Sequence, residues 1–290
     1  MVRIAIIGGG NMGEALLAGL LRAGRQPGDL LVVERVAERA KALADTYSVM
    51  VSPVTEAAQG ATLVVVAVKP ADVDSVTDEL ARAAASSEHD SAEQLFVSIA
   101  AGVTVGFFES KLPAGTPVVR AMPNAAALVG AGVTALARGR FVTDEQLAAA
   151  SALFEAVGAV LTVPERQMDA VTAVSGSGPA YFFLVIEALV DAGVAAGLSR
   201  DVVAELSAQT MAGAAAMLLD RMEADRRSAG GAAGARVDAA ATQLRAIVTS
   251  PAGTTAAGLR ELERGGLRAA VDAAVQAAKT RSEQLRITSE

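Results

Sequence analysis

A doubly wound α/β fold, with a mainly parallel sheet covered by helices on both faces and an all-helical segment after it, is the fold class this sequence predicts. Three observations carry it. Short β-branched runs alternate with amphipathic stretches through the first half of the chain. The run Leu63-Val64-Val65-Val66-Ala67-Val68 is apolar on both faces, as a strand buried between two helical layers requires. After Pro164 the strand signal stops and helical patterns rich in Ala and Gly take over. The expected domains are therefore residues 1–163 and 164–290.

In chain order, strands are expected at Val2–Ile7, Leu30–Glu34, Thr62–Val68, Leu95–Ile99, Val118–Ala121 and Ala159–Val163. Leu16, Leu17, Leu20 and Leu21 form one helix face, stopped by Gly24; Val36, Ala40, Leu43 and Ala44 form the next; Val73, Val76, Leu80 and Ala84 a third. Thr143 and Gln146 have the spacing of a capping box, opening a helix that Gly158 closes. Beyond Pro164 helices are expected at 166–197, 201–224, 237–249, 255–264 and 267–287, with Ser199 as an N-cap and Gly265-Gly266 as a stop. Small side chains bury little area per helix, so this part is expected to pack against a second copy of the chain. Ser86–Ser91 and Ser228–Gly234 are expected loops.

Composition narrows the function. Of 290 residues, 25 are basic and 32 acidic, a net charge of −7 that argues against a nucleic-acid binder. No cysteine and a single histidine, His89, leave no thiolate or His-rich metal site. No uninterrupted apolar run reaches the ~18–20 residues of a membrane span, and the start Met1–Ile7 carries no cleavage-site pattern. A soluble, cytoplasmic protein is expected, with no membrane partner.

Gly8-Gly9-Gly10-Asn11-Met12-Gly13 fits G-x-G-x-x-G between a strand and a helix, the context in which this pattern binds a dinucleotide. Gly8 suits the tight turn, Gly10 close approach of a pyrophosphate, and Gly13 close packing of helix on strand. Glu34, 21 positions after Gly13, stands where an acidic residue holds the ribose of NAD, and Arg35 beside it suits the 2′-phosphate of NADP. The choice between nucleotides is left open by this pair. Lys69, in Ala67-Val68-Lys69-Pro70, sits at a strand's carboxyl end, where ligands of such sheets gather. Ser98-Ile99-Ala100-Ala101-Gly102 closes the following strand with side chains small enough for a flat ring to lie on the backbone. The segment from Ala173 to Tyr181 puts two glycines, two serines and a proline into an apolar helix, which fits a kink or close crossing as well as a ligand-facing turn. Ser250-Pro251-Ala252-Gly253-Thr254-Thr255 reads as a turn before a helix, with either free N–H groups for a carboxylate or plain capping by Thr254 or Thr255.

Together GGGNMG at 8–13, AVKP at 67–70, SIAAGV at 98–103, RAMPN at 120–124, AVSGSGPAY at 173–181 and SPAGTT at 250–255 resemble the pyrroline-5-carboxylate reductase family, in order and across nearly the whole chain. The resemblance implies a Rossmann-like nucleotide domain and a helical dimerisation domain that interlocks with its twin, with the substrate pocket at that interface and dimers that assemble further. It implies NADPH or NADH as hydride donor and a small imino acid as substrate, reduced in the last step of proline biosynthesis. By the same resemblance Ile7 to Met12, Ala67 to Pro70 and Ile99 to Ala101 line the cofactor, with Arg35 near the adenosine ribose or its 2′-phosphate. Ser250, Gly253, Thr254 and Thr255 belong to the loop that binds the substrate carboxylate, and Thr255 hydrogen-bonds the ring nitrogen. Glu165 is a weaker candidate for cofactor contact. Three positions depart from the family pattern: Ala252 replaces a second glycine, Val54 an asparagine near the adenosine, and Ala126 a proline after RAMPN. The stretch between Met217 and Ser250 is longer than usual.

Reduction of a cyclic imine suits this inventory, because the iminium forms in water and needs no histidine acid. A β-hydroxyacid dehydrogenase would carry a catalytic lysine on the first helix of the second domain, and the stretch from Tyr181 to Ala196 has none. A nucleotide-sensing binding protein would leave SPAGTT unexplained.

Overall fold

The structure is a computed structural model describing residues 3–85, 94–228 and 237–287. The expected loop at Ser86–Ser91 with His89, and all but the first residue of Ser228–Gly234, lie outside the described residues. By its internal contacts the chain divides into Met1–Pro179 with Val275–Glu290, and Ala180–Ala274.

The first unit holds one eight-stranded sheet: β1 Ile4–Ile7, β2 Leu30–Val33, β3 Met50–Val51, β4 Leu63–Val66, β5 Leu95–Ser98, β6 Val118–Met122, β7 Gly132–Arg138 and β8 Gly158–Thr162, in the order β3-β2-β1-β4-β5-β6-β7-β8. Alternation along each strand builds two cores. Ile4, Ile6, Val32 and Val65 face Leu16, Leu17, Leu20 and Phe154 on one side; Ala5, Ile7, Val33 and Val64 face Val73, Leu80 and Phe108 on the other. Period-2 side chains that are apolar at every position thus serve both helical layers.

Two strands were not expected. Met50–Val51 is a two-residue edge, and Gly132–Arg138 is masked in sequence by its alanines. β7 pairs antiparallel with β6, so β7 and β8 run against the rest of the sheet. The connection at 123–131 is too short for a parallel crossover, which takes about a dozen residues. The capping box forms: Gln146 N–H donates to Thr143 Oγ1 at 3.2 Å, and Thr143 N–H to Gln146 Oε1 at 3.0 Å.

The expected helix at 166–197 is interrupted. A short turn at Glu165–Gln167 and one helical turn at Met168–Val171 lead into a π-helical stretch, Thr172–Gly176, before the helix Gly178–Ala195. A Cβ on Gly176 would lie 2.9 Å from Met122 Cε, so close packing is one reason the stretch takes glycine. The remaining helices are Arg200–Ser228, Val237–Ile247, Thr254–Arg264 and Leu267–Gln284. Glu165–Ala195 and Arg200–Ser228 are long and apolar enough to cross a membrane by length and composition. The expectation from uninterrupted runs differs because alanine-rich helices with few charges pass on average hydropathy.

Candidate functional site

Gly8 ends β1 at φ +115°, and a Cβ there would lie 2.8 Å from the Ala67 carbonyl oxygen, so the turns after β1 and β4 touch backbone to backbone. These neighbouring strands lead in opposite directions along the sheet, to β2 and β5, which makes their carboxyl ends the crevice where ligands of such sheets bind. Gly13 is equally constrained, since its Cβ would fall 2.0 Å from the Gly8 carbonyl oxygen. Gly10 differs. It is the N-cap of the helix Asn11–Arg22, no side chain caps that end, and nothing lies within 4 Å of an added Cβ. Free N–H groups, a helix dipole and open space above Gly10 fit a pyrophosphate.

The backbone of Gly9 is held from both sides. Its N–H donates to Glu34 Oε2 at 3.1 Å, and its carbonyl accepts from Arg39 Nε at 3.0 Å. Arg39 also pairs with Glu14, whose Oε1 accepts from Tyr47 Oη at 3.0 Å. Burial, and then the Glu14 carboxylate, push the Tyr47 phenol up. The other oxygen of Glu34 accepts from the Val36 N–H at 2.8 Å. Each oxygen of Glu34 therefore supports the turn and keeps a second lone pair for a ribose hydroxyl.

A cleft of about 660 Å³ opens here, lined by Ile7, Gly8, Gly10, Glu34, Arg35, Ala67, Val68 and Lys69. Gly9, Asn11, Met12, Gly13, Pro70, Ile99, Ala100 and Ala101 do not line it. The first four continue the turn and its helix, Pro70 starts the turn Pro70–Asp72, and Ile99 donates from the next strand to the Val66 carbonyl at 3.0 Å. Sequence reasoning missed Ser52, Asp72, Ser75 and Glu79 on the cleft wall. No periodicity marks them, and only the topology brings their segments to one end of the sheet. Ser52 Oγ is buried with no hydrogen-bond partner among the described residues, an orphaned polar atom that fits a nucleotide hydroxyl or ring nitrogen.

The loop after β5 is tied from behind. Gly102, at φ +78°, accepts from the Ile287 N–H at 2.8 Å, and Val103 forms a bridge with Ile287. Glu165 Oε1 accepts from the Val105 N–H at 2.7 Å and faces Arg120 Nη1 at 3.3 Å, so it is engaged in the fold.

In the other unit, Ser250–Gly253 forms the expected turn. The Gly253 N–H donates to the Ser250 carbonyl at 3.1 Å, and a Cβ on Gly253 would lie 2.4 Å from Ser250 Oγ. Ala252 takes φ +57°, the left-handed region where glycine is at ease, at the position where the family pattern has glycine. Gly253, without a side-chain cap, is the N-cap of Thr254–Arg264. Plain capping by Thr254 or Thr255 is thereby excluded: both lie within the first turn, whose N–H groups are free to meet an anion.

Known proteins resemble this chain along its whole length. Residues 165–285 match the family described as pyrroline-5-carboxylate reductase dimerisation, and residues 3–102 match NADP oxidoreductase, coenzyme F420-dependent. The chain is 72% identical over 291 residues to a pyrroline-5-carboxylate reductase of Mycobacterium tuberculosis, covering 100% of this chain and 99% of that one. A solved pyrroline-5-carboxylate reductase from Coxiella burnetii superposes with a TM-score of 0.86 at 35% identity, covering 99% of both chains. The Plasmodium falciparum pyrroline carboxylate reductase, solved with NADP bound, gives 0.79 at 29% identity over 98% of both. On end-to-end similarity of sequence and fold, this chain belongs to the pyrroline-5-carboxylate reductase family.

Proposed function

We propose that this protein reduces 1-pyrroline-5-carboxylate to L-proline with NADPH or NADH, the last step of proline biosynthesis. The uncapped helix start at Thr254, in a chain whose other unit opens a dinucleotide cleft at Gly8–Gly13, carries this reading. The reduced nicotinamide supplies a hydride to the ring carbon of the C=N bond, whose nitrogen is already protonated as the iminium. The rest is positioning. Gly10 and the free N–H groups of Asn11–Gly13 take the pyrophosphate, Glu34 and Arg35 the adenosine ribose, and Ala67–Pro70 with Ile99–Ala101 the remainder of the cofactor. The turn of Ser250 and Gly253 presents the N–H groups of Thr254 and Thr255 to the substrate carboxylate. Thr255 hydrogen-bonds the ring nitrogen as it becomes an amine, and held proximity supplies most of the acceleration.

In this reading residues 164–290 form the dimerisation and substrate-binding domain, and a second copy completes the pocket as a homodimer or a multiple of dimers. The two long apolar helices both fall within the dimerisation match and are faces for that copy rather than membrane spans. The enzyme then acts in the cytoplasm and has no nucleic-acid partner. Mixing purified protein, NADPH or NADH, and pyrroline-5-carboxylate tests the reading: nicotinamide absorbance falls and proline accumulates in equal amount. No proline with either nucleotide would reject it.

A further inference from the structure

We propose that Asp72 sets the preference between NADPH and NADH by competing for Arg35; this rests on the cofactor reading above. Arg35 Nη2 lies 2.7 Å from Asp72 Oδ1. Arg35 follows β2 and Asp72 ends the turn after β4, so the pair joins the two walls of the cleft on either side of the Gly8 turn. In sheets of this class the end of β2 meets the adenosine ribose, and an arginine there accommodates a 2′-phosphate.

The surrounding charges leave Arg35 as the contested group. Arg39 is committed to the Gly9 carbonyl and to Glu14. Lys69 lines the cleft from the far side of the Gly8 turn. Glu34 stands beside Arg35 on the β2 side, and Asp72 and Glu79 are carboxylates on the β4 side. A 2′-phosphate on the Arg35 guanidinium has to share it with Asp72 or exchange for it, since Asp72 Oδ1 holds an Nη2 N–H, and it sits beside a carboxylate that repels it. The ribose of NADH requires no such exchange. Asp72 therefore weakens the phosphorylated nucleotide selectively.

The test is the ratio of affinities for NADPH and NADH, measured as Kd by calorimetric titration and as kcat/KM with pyrroline-5-carboxylate, on the full chain. Asp72→Asn is expected to raise the NADPH:NADH ratio about three- to tenfold, the size of one freed, partly exposed ion pair plus relief of one like charge. Arg35→Gln lowers the ratio, and adding Asp72→Asn to it raises the ratio less than the same change does in wild type, because only the relief of like charge remains. Asp72→Ser repeats the shift if the first variant folds poorly. A ratio unmoved by both Asp72 variants, or raised equally without Arg35, overturns the proposal, and so does failure of both nucleotides to bind. Binding without imine reduction would instead reject the function, while the Kd ratio still decides this point.

Discussion

Ser282 Oγ donates to Asp169 Oδ1 at 2.7 Å, joining residues 113 positions apart in the chain. Arg286 pairs with the other oxygen of the same carboxylate, whose side chain is 5% exposed. One residue on, Ile287 bridges Val103 behind the loop that follows β5. The segment 282–287 is thus clasped to the loop that carries Ile99–Ala101. Burial resists ionisation of Asp169, but the hydrogen bonds from Ser282 and Arg286, with the charges of Arg286 and Arg120, outweigh it and hold the carboxyl below its usual range.

Because the folded pKa is the lower one, this stabilisation is complete above the unfolded value of about 3.9 and is lost as pH falls through the folded value. Asp169→Asn is expected to cost about 1–3 kcal/mol at neutral pH, discounted because Arg286 is partly exposed. Its urea midpoint should fall less steeply than wild type between neutral pH and acid. Parallel pH profiles for the two proteins would show that Asp169 is not held ionised by the clasp.

Gly10 and Gly13 separate binding from folding. Gly13→Ala puts a methyl 2.0 Å from a backbone oxygen and should yield a protein with a much lower Tm or none that is soluble. Gly10→Ala meets no atom within 4 Å and keeps an extended φ of −67°, so its Tm should stay near wild type. Its methyl occupies the pyrophosphate approach, and KM for NAD(P)H should rise about tenfold or more, the equivalent of ~1.4 kcal/mol. Unaltered nucleotide affinity in Gly10→Ala would remove the pyrophosphate from this turn.

Thr255 lies in the first turn of its helix without capping it. Thr255→Ala removes the hydroxyl assigned to the ring nitrogen and should lower kcat/KM for the imine by roughly ten- to a hundredfold, the worth of one buried hydrogen bond. Nucleotide Kd should hold. Steady-state kinetics at saturating NADPH read this directly, and an unchanged kcat/KM would take Thr255 out of the mechanism.

What the sequence revealed and what it concealed divide along physical lines. Patterns that are local in the chain were readable: the Gly8–Gly13 turn, the capping box at Thr143, and strands such as Leu63–Val66 whose apolar residues face both layers. Ala252 at a left-handed φ was legible as a departure from the family's glycine, although its conformation was not. Interactions across distant segments were not readable. Nothing in the order of residues tells that Asp72 meets Arg35, that Ser52 has no partner among the described residues, or that Asp169 takes Ser282 and Arg286. The reversal at β7 was hidden because strand direction depends on the length of a connection whose end was itself obscured by alanines.

Phe182, Phe183 and Leu184 are 60%, 62% and 66% exposed, and Val185 beside them 45%. Four consecutive helical residues point to every side of the helix, so the turn 182–185 of Gly178–Ala195 shows apolar surface all round within one chain. A helix of that kind is stable only when buried. Covering such side chains is worth about 1.5–3 kcal/mol each, ample to drive association of a second copy when several are covered together. Leu184→Glu, or Phe183→Glu where the first fails to express, places a charge in that interface. Light scattering after gel filtration should give wild type a multiple of the single-chain mass and the variant the single-chain mass, with imine reduction lost if the neighbour completes the pocket. A wild-type protein that runs at the mass of one chain would leave this surface without its partner and the pocket without its second half.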